Sequence, residues 1–323
     1  MADKKIIAVT GSTGSQGGGL VRAILADSSG GFAARAITRD PGKDKAKALA
    51  ARGAEVVKGD LDDVESLKKA FAGAYGVYAV TNFWEHFSGD KEIQQAKNIA
   101  EAARAAGVKH VIWSTLEDTR KLMSPDDKRM PILQQKYRVP HFDAKAEANR
   151  QFAGLPVTYF VTSFYWDNLY LFGLAPKKGD DGAYSWTFPM GDAKLPGIAA
   201  EDIGKAAYGI FKAGQQYIGK TVGIAGESLS FQEMSQKLEK GLGISPVKFN
   251  AVDADVFRGF GFPGADEYGN MFQVYRDFEK EVNAARSIEE TRKLNPQLMS
   301  FDQWLQTNRS AVQAATQPAP AAS

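Results

Sequence analysis

The chain of 323 residues is 44% hydrophobic and 24% charged, a composition typical of a globular protein that buries a substantial core. Its net charge of +2, with Lys and Arg interleaved among Asp and Glu, does not favour a nucleic-acid surface. The absence of cysteine excludes disulfides and thiolate chemistry, and His86, His110 and His141 do not have metal-ligand spacing, so no metal is expected.

The sequence shows neither an export signal nor a membrane-spanning pattern. The first apolar run, residues 6–10, is too short for a signal peptide, and no stretch reaches the ~18 apolar residues of a membrane span. We therefore expect a cytoplasmic protein without membrane contact, with a nuclear location as a further option if the chain regulates transcription.

Short β-like runs alternate with helical patterns through the first half of the chain. Strands are predicted at residues 6–10, 33–38, 54–60, 76–82, 108–115, 155–161 and 220–226. Helical patterns are predicted between them at residues 20–27, 43–53, 63–74 and 91–107. Because parallel strands need crossover connections, this alternation predicts an α/β fold with a doubly wound parallel Rossmann sheet.

The sequence also suggests a division of the chain. We predict an NADP-binding Rossmann domain at 1–162 and a smaller, interleaved C-terminal α/β region for substrate or partner at 163–310, from which 220–226 returns to the Rossmann sheet. The polar, proline-containing segment 117–140 is too long for a passive connector and indicates a lid or variable loop. The small, proline-containing residues 311–323 are predicted to form a disordered tail.

A glycine motif joins the first strand to the first helix. Gly11, Gly14 and Gly17 have the spacing GxxGxxG, which permits a tight turn, a close approach of backbone to a diphosphate, and close helix–strand packing. The amino end of the helix adds free N–H groups and a positive dipole end. The alternative is a flexible turn, to which Gly18 and Gly19 would contribute, but the strand–helix context favours a dinucleotide site.

The ends of the second and third strands would bind the adenosine half of the nucleotide. Arg39 can hold a 2′-phosphate by paired donors, and Lys43 adds a point charge, so NADP(H) is favoured. If Asp40 faced the ribose instead, NAD would be favoured. Asp60 and Leu61 end the third strand, where the adenine ring would lie.

Residues at the end of the fourth strand would lie beside the nicotinamide ribose, with Thr81 and Asn82 as cofactor contacts. Aromatic residues after this strand and after the sixth strand suggest a pocket for a flat substrate, although aromatic side chains also simply fill cores. The predicted pocket residues are Phe83, Trp84, Phe164, Tyr165 and Trp166.

The candidate reaction centre lies on the helix after the fifth strand. Short-chain dehydrogenases place Tyr and Lys four residues apart on one helical face, and here Lys145 is present but His141 stands at the tyrosine position. His141 could donate a proton, and Ser114 could bond a substrate carbonyl. Lys145 could also act alone if desolvated, or hold the ribose without any chemistry. The YxxxK pair Tyr208 and Lys212 fits an amphipathic helix and is interpreted as structural.

These features together resemble the NmrA-like family of atypical short-chain dehydrogenases, from about residue 4 to residue 308. The segments that carry the resemblance are VTGSTGSQGG, AITRDPGK, GAEVVKGDLDD, VTNFWE, HFDAK, FYWDNL, MGDAKLPG, GFPGADEYGNMF and LNPQLMSFDQWL. The NADP(H) contacts that the resemblance implies are Gly11, Thr13, Gly14, Gln16, Gly17, Arg39, Lys43, Asp60, Asn82, Lys145, Tyr165 and Asn168.

The resemblance implies a redox sensor of the NADPH/NADP balance that lacks the catalytic tyrosine. Such a sensor regulates a protein partner, often with a change in self-association, so a regulated partner and a homodimer are further expectations. The alternative is an NADPH-dependent reductase of quinones, enones or aryl ethers, which would use Lys145, Ser114, His141 and the aromatic pocket.

Overall fold

The computed structural model describes residues 4–124 and 126–317. Strands and helices alternate through its first half, and a 3₁₀ turn at Phe83–Glu85 follows the fourth strand. Their bounds are β1 (Lys5–Val9), α1 (Ser15–Ala26), β2 (Phe32–Thr38), α2 (Asp44–Ala51), β3 (Glu55–Lys58), α3 (Val64–Phe71), β4 (Gly76–Ala79), α4 (Gly89–Ala106), β5 (His110–Thr115), α5 (Pro140–Ala148) and β6 (Val157–Val161).

The second half is built from short strands and helices. Their bounds are β7 (Phe164–Tyr165), α6 (Asn168–Leu171), β8 (Lys177–Lys178), β9 (Tyr184–Phe188), β10 (Leu195–Ile198), α7 (Ala200–Ala213), β11 (Thr221–Gly223), β12 (Glu227–Leu229), α8 (Phe231–Leu242), β13 (Val247–Ala251), α9 (Ala254–Arg258), α10 (Ala265–Asp277), α11 (Glu279–Ala284), α12 (Ile288–Leu294), α13 (Phe301–Thr307) and α14 (Arg309–Ala315). Within the described residues, no helix has both the length and the apolar character of a membrane span.

The central sheet has seven parallel strands in the order β11-β6-β5-β4-β1-β2-β3. The predicted doubly wound Rossmann sheet is therefore confirmed. The strand order reverses between β1 and β4, and ligands of such sheets bind at the carboxyl ends of the strands beside this switch point. The glycine loop after β1 and the polar residues after β4 meet there.

Helices cover both faces of this sheet. On one face α1 and α7 pack on the strands, with the buried side chains Leu20, Ile24, Ile203, Ile210 and Phe211. On the other face α3 and α4 pack on the strands, with the buried side chains Leu67, Phe71, Ile99, Ala103 and Trp113. Burial on both faces explains why the strands read as nearly continuous apolar runs in the sequence.

The C-terminal region adds two three-stranded sheets, in the orders β12-β10-β7 and β13-β9-β8. Since only two residues separate the end of β6 from the start of β7, this region is attached at the carboxyl edge of the central sheet. Its core is rich in aromatic side chains, among them Trp186, Phe188, Phe231, Phe272 and Trp304. The second region therefore stands over the edge where the dinucleotide site is predicted.

Residues 311–315, predicted as part of a disordered tail, are helical, and the prediction is wrong for them. They belong to α14, in which Val312 is fully buried, and Lys177 donates a hydrogen bond to the carbonyl of Ala315. Local composition favours disorder here, but packing against the C-terminal core overrides it. Residues 318–323 of the predicted tail lie outside the described residues.

The predicted lid, residues 117–140, is bound to the C-terminal region along part of its length. Asn270 of α10 donates to the carbonyl of Pro131 at 3.0 Å, and Gln273 donates to that of Arg129 at 2.9 Å. Its described residues include the buried side chains Met123 and Met130. These contacts make the segment part of the wall that closes the carboxyl edge.

His110, which opens β5, should make stability depend on pH. Its Nε2 lies 2.8 Å from the Thr158 hydroxyl, and Nδ1 is buried without a partner, so burial lowers the pKa of His110 to about 4. A depressed histidine pKa contributes stability that is present above pH ~6.5 and is lost as the pH falls through about 4. We expect His110 to lower the free energy of unfolding by about 2 kcal/mol between pH 7 and pH 5.

Urea unfolding at both pH values of the wild type and of His110→Gln would measure this contribution. Glutamine can still donate to Thr158 but does not titrate, so its loss of stability between the two pH values should be smaller by about that amount. Equal losses in the two proteins would show that His110 is not the group that titrates.

Candidate functional site

The glycine loop packs closely against the first turn of α1 and against the Val80 side chain after β4. Gly11 has a φ of +59°, and a Cβ there would lie 2.8 Å from Val80. A Cβ on Gly17 would lie 2.5 Å from the Gly11 carbonyl oxygen and 2.6 Å from that of Thr10. Gly14 stands just before α1, whose first turn carries no acidic side chain. A loop whose glycines expose its backbone at the amino end of a helix fits a dinucleotide diphosphate, because free N–H groups at the helix end face the anion.

Adding a single methyl group to Gly17 should damage this loop. The atoms it would meet are backbone atoms, so Gly17→Ala is expected to destabilise the fold by about 1–3 kcal/mol and to weaken NADPH binding at least tenfold. Gly18→Ala is the milder comparison, since its Cβ would lie 3.0 Å from the end of the Arg22 side chain and 3.2 Å from the Ser12 carbonyl oxygen, both farther than the backbone atoms that a Cβ on Gly17 would meet. Urea unfolding and an NADPH titration of both variants would measure their stability and their affinity for NADPH. Equal stability and equal affinity in the two variants would contradict the prediction.

The loop after β2 carries the predicted 2′-phosphate ligands. Arg39 forms two contacts with Glu85, from Nη2 to Oε1 at 3.0 Å and from Nη1 to Oε2 at 3.0 Å. The Asp40 carboxylate accepts the Gly42 N–H at 2.8 Å, so it is engaged within the loop. Lys43 is exposed just before α2. Both side chains are therefore paired in this structure, Arg39 with the turn after β4 and Asp40 within its own loop.

The side chain of Gln16, in the first turn of α1, joins three hydroxyl groups. Its Oε1 accepts from the Ser114 hydroxyl at 2.8 Å and from the Tyr78 hydroxyl at 2.5 Å, and its Nε2 donates to Tyr165. Burial raises the pKa of both phenols. The Ser114 hydroxyl, which is predicted to bond a substrate carbonyl, therefore already donates its hydrogen bond to Gln16.

Other predicted cofactor contacts are placed around the same edge. Asn82 is exposed and its amide donates to Glu85 at 3.2 Å. Asn168 begins α6 and is partly buried. Asp60 accepts the Asp62 N–H at 3.0 Å, whereas Leu61 packs against the core under α3 and α4.

A charged cluster lies beneath the predicted nicotinamide position. Lys145 Nζ lies 2.6 Å from Glu92 Oε1 and donates to the Thr81 hydroxyl at 2.7 Å, and that hydroxyl donates to Glu92 at 2.6 Å. Glu92 has no exposed surface, and His86 Nε2 is 3.4 Å from its second oxygen. Burial opposes the charged carboxylate, but Lys145, His86 and Thr81 outweigh it and lower the pKa of Glu92 to about 2. Lys145 is therefore held by a carboxylate and is not an isolated, desolvated amine.

His141 is held by a second carboxylate, from the C-terminal region. Glu267 of α10 accepts the backbone N–H of His141 at 2.8 Å and also bonds its Nδ1. Among the described residues, nothing forms a hydrogen bond with His141 Nε2. The Trp84 ring lies 4.9 Å from the imidazole and stacks on Tyr268 at 4.7 Å, with 14° between the planes. His141, one turn before Lys145, is thus oriented by Glu267 beneath an aromatic cover.

The predicted aromatic pocket is assembled only in part. Phe83 packs within 5.8 Å of His141 and Trp84 covers it, whereas Phe164 packs on Phe272 in the C-terminal core. The prediction of Trp166 as a pocket residue is wrong. Its ring is 1% exposed and packs on Phe301 and Trp304 in the core.

Surface cavities lie at both ends of the parallel strands. One, of about 700 Å³, borders the glycine loop, and its lining includes Thr13, Gly14, Arg22, Lys45, Arg52 and Lys205. The larger one, of about 970 Å³, lies at the opposite, amino end of the strands, and its lining includes Lys4, Lys5, Tyr75 and Lys109. Since ligands of parallel α/β sheets bind at the carboxyl ends, the larger cavity has no part in the candidate site.

Three residues that complete the site were not predicted from the sequence: Glu92, Glu267 and Tyr268. Their place becomes visible only when α4 and α10 pack against α5. The one sequence signal was an acidic residue in the first turn of each helix, which ordinarily reflects a helix end.

A comparison with protein families shows which family the chain belongs to. The model of the NmrA-like family matches residues 3–305. The chain belongs to the NmrA-like family. The resemblance predicted from the motifs is thereby confirmed, and with it membership of a family of NAD(P)-binding oxidoreductases.

Individual relatives of this NmrA-like chain cover most of its length. The NmrA-like family domain-containing oxidoreductase FrzB of Cladobotryum sp. is 30% identical over 247 residues, 73% of each chain. NmrA, a negative transcriptional regulator, is similar over 94% of this chain and 95% of its own, at 25% identity. The TM-score is 0.76 for its complex with NAD and 0.75 for its complex with NADP. NmrA-like proteins thus include binders of either nucleotide.

Proposed function

We propose that the chain is an NADP(H)-dependent reductase of flat conjugated substrates, such as quinones or enones. The observation that carries the proposal is the arrangement of His141. It stands at the tyrosine position of the YxxxK spacing, its Nδ1 is bonded to Glu267, and its Nε2 has no partner among the described residues. An imidazole oriented by a carboxylate is a common proton donor in enzymes. The oxidoreductases among its relatives add support.

Each group of the site has a role in this proposal. The glycine loop and Arg39 would bind the diphosphate and the 2′-phosphate, and Lys145, fixed by Glu92, would hold the ribose. Bound NADPH would supply a hydride. His141 would donate from Nε2 the one proton that completes the reduction and would regain it from solvent, while Trp84 would stack on a flat substrate.

The test follows nicotinamide absorbance of NADPH, with NADH in parallel, in the presence of the protein and a panel of quinones and enones. Energy transfer from the tryptophans to NADPH confirms binding in the same samples. Oxidation of many equivalents of NADPH per protein, with NADH slower, would support a reductase. Tight binding of NADPH without turnover on any substrate would contradict it.

A second candidate, a sensor of NADP(H) without turnover, is favoured by the bonding of Ser114. Its hydroxyl and the phenols of Tyr78 and Tyr165 all bond Gln16, so the carbonyl-binding hydroxyl expected of a dehydrogenase is already engaged. A sensor would bind NADPH without oxidising it, and its occupancy would change self-association or a partner complex. Size measurement of the protein with and without NADPH would test this candidate.

A further inference from the structure

The guanidinium of Arg39 is already paired in this structure, and its partner Glu85 directly follows Trp84, which covers His141. Glu85 holds both Nη atoms at 3.0 Å, and it closes the 3₁₀ turn Phe83–Glu85. The Arg39 and Glu85 side chains are 65% and 47% exposed, so a ligand from solvent can reach them. The Asn82 amide also donates to this carboxylate, at 3.2 Å.

A planar guanidinium binds a carboxylate and a phosphate with the same paired donors. A 2′-phosphate therefore has to replace Glu85 at Arg39, or share the cation at the cost of repulsion between two anions. We infer that Glu85 is a nucleotide-selectivity residue, which competes with the 2′-phosphate for Arg39 and leaves the turn Phe83–Glu85 free to move when that phosphate binds. The inference rests on the NADP(H) binding of the proposed function.

The competition connects the adenosine end of the site to the reaction centre. Trp84 immediately precedes Glu85, stacks on Tyr268 at 4.7 Å and lies 4.9 Å from the His141 ring. Release of Glu85 thus frees one end of the short turn that covers His141. A nucleotide without a 2′-phosphate leaves the Arg39–Glu85 pair in place, so NADP(H) and NAD(H) differ in their effect on Trp84 as well as in affinity.

The test uses nucleotide fragments that have no nicotinamide, so its result does not depend on turnover. Calorimetric titrations compare adenosine 2′,5′-bisphosphate with 5′-AMP at constant ionic strength, because exposed charges are screened by salt. Glu85→Gln keeps the size of the side chain and removes its charge. We expect it to bind the bisphosphate about three- to tenfold more tightly than the wild type does, with 5′-AMP changed less than twofold.

Two further variants give the result its meaning. Glu55→Gln removes the same charge from another exposed carboxylate paired to arginine, at 2.7 Å from Arg35, and should change neither affinity. Arg39→Ala should weaken binding of the bisphosphate. In that background Glu85→Gln should change the affinity for the bisphosphate less than twofold. The inference is overturned if Glu85→Gln raises the affinity for both nucleotides equally or for neither. It is also overturned if Glu85→Gln raises the affinity for the bisphosphate as much in the Arg39→Ala background as in the wild type.

Tryptophan fluorescence provides a second measurement on the same samples. Of the five tryptophans, Trp84 is partly exposed, and the other four, Trp113, Trp166, Trp186 and Trp304, are buried. Saturation with the bisphosphate should change the emission, and Trp84→Phe or Arg39→Ala should abolish the change. An unaltered emission at saturation would contradict the movement of the turn. A protein that shows these binding effects but does not oxidise NADPH would contradict the proposed reductase function and would leave the inference on Glu85 intact.

Discussion

Replacing His141 with glutamine is expected to lower kcat for NADPH-dependent reduction by about 10²- to 10⁴-fold, the usual contribution of a positioned general acid. Glutamine preserves a donor near Glu267 but has no group that exchanges protons near neutral pH. NADPH affinity should change only slightly, because His141 faces Glu267 and Trp84 and is not a predicted cofactor ligand. Glu267→Gln should give a smaller loss, since the imidazole remains but loses the carboxylate that orients it.

The second YxxxK pair of the chain provides the control for this experiment. The Tyr208 hydroxyl donates to Asp27 at 3.1 Å on the face covered by α1 and α7. Burial and the Asp27 carboxylate raise the pKa of Tyr208 to about 12. Tyr208→Phe should therefore leave kcat unchanged. Stopped-flow or steady-state assays of the three variants would measure these changes in kcat. Undiminished turnover in His141→Gln would show that His141 is not the proton donor.

The sequence predicted the central sheet well because its signal is local. Strands β1 to β6 each form a short apolar run between turn residues, and the observed bounds lie within three residues of those predicted. The helix at the start of the tail was harder to predict, since the alanine-rich residues 311–315 have no strong helical pattern of their own. They are helical because Val312 is buried against the C-terminal core. Tertiary packing of this kind is not encoded in a short window.

The candidate site was predictable where it depends on one motif. Gly11, Gly14, Gly17 and Lys145 follow from spacing within single strand–helix units. Glu92 and Glu267 do not, because each meets its partner across helices that are far apart in the chain. In the sequence, a buried carboxylate looks the same as a surface carboxylate, because the cation or imidazole that pairs with it is not apparent. The sequence therefore located Lys145 and His141, but not the carboxylates that hold them.

The ion pair of Glu92 and Lys145 is expected to dominate the stability of the site. Glu92 is fully buried and the Lys145 side chain is 10% exposed, with 2.6 Å between Nζ and Oε1. Removing one partner leaves the other charge buried without compensation, which costs about 3–5 kcal/mol. We expect this loss in free energy of unfolding for both Glu92→Leu and Lys145→Met. The surface pair of Lys194 and Glu233 is the control, and Lys194→Met should cost no more than about 1 kcal/mol.

The double variant Glu92→Leu, Lys145→Met separates the charge effect from packing. It removes both charges and keeps apolar side chains of similar size, so its stability should return to within about 1 kcal/mol of the wild type or exceed it. The coupling free energy of the cycle should then be several kcal/mol, far above that of residues which act independently. Urea unfolding of the four proteins gives this number. Additive losses would mean that the two residues act independently and that Glu92 does not hold Lys145 in place.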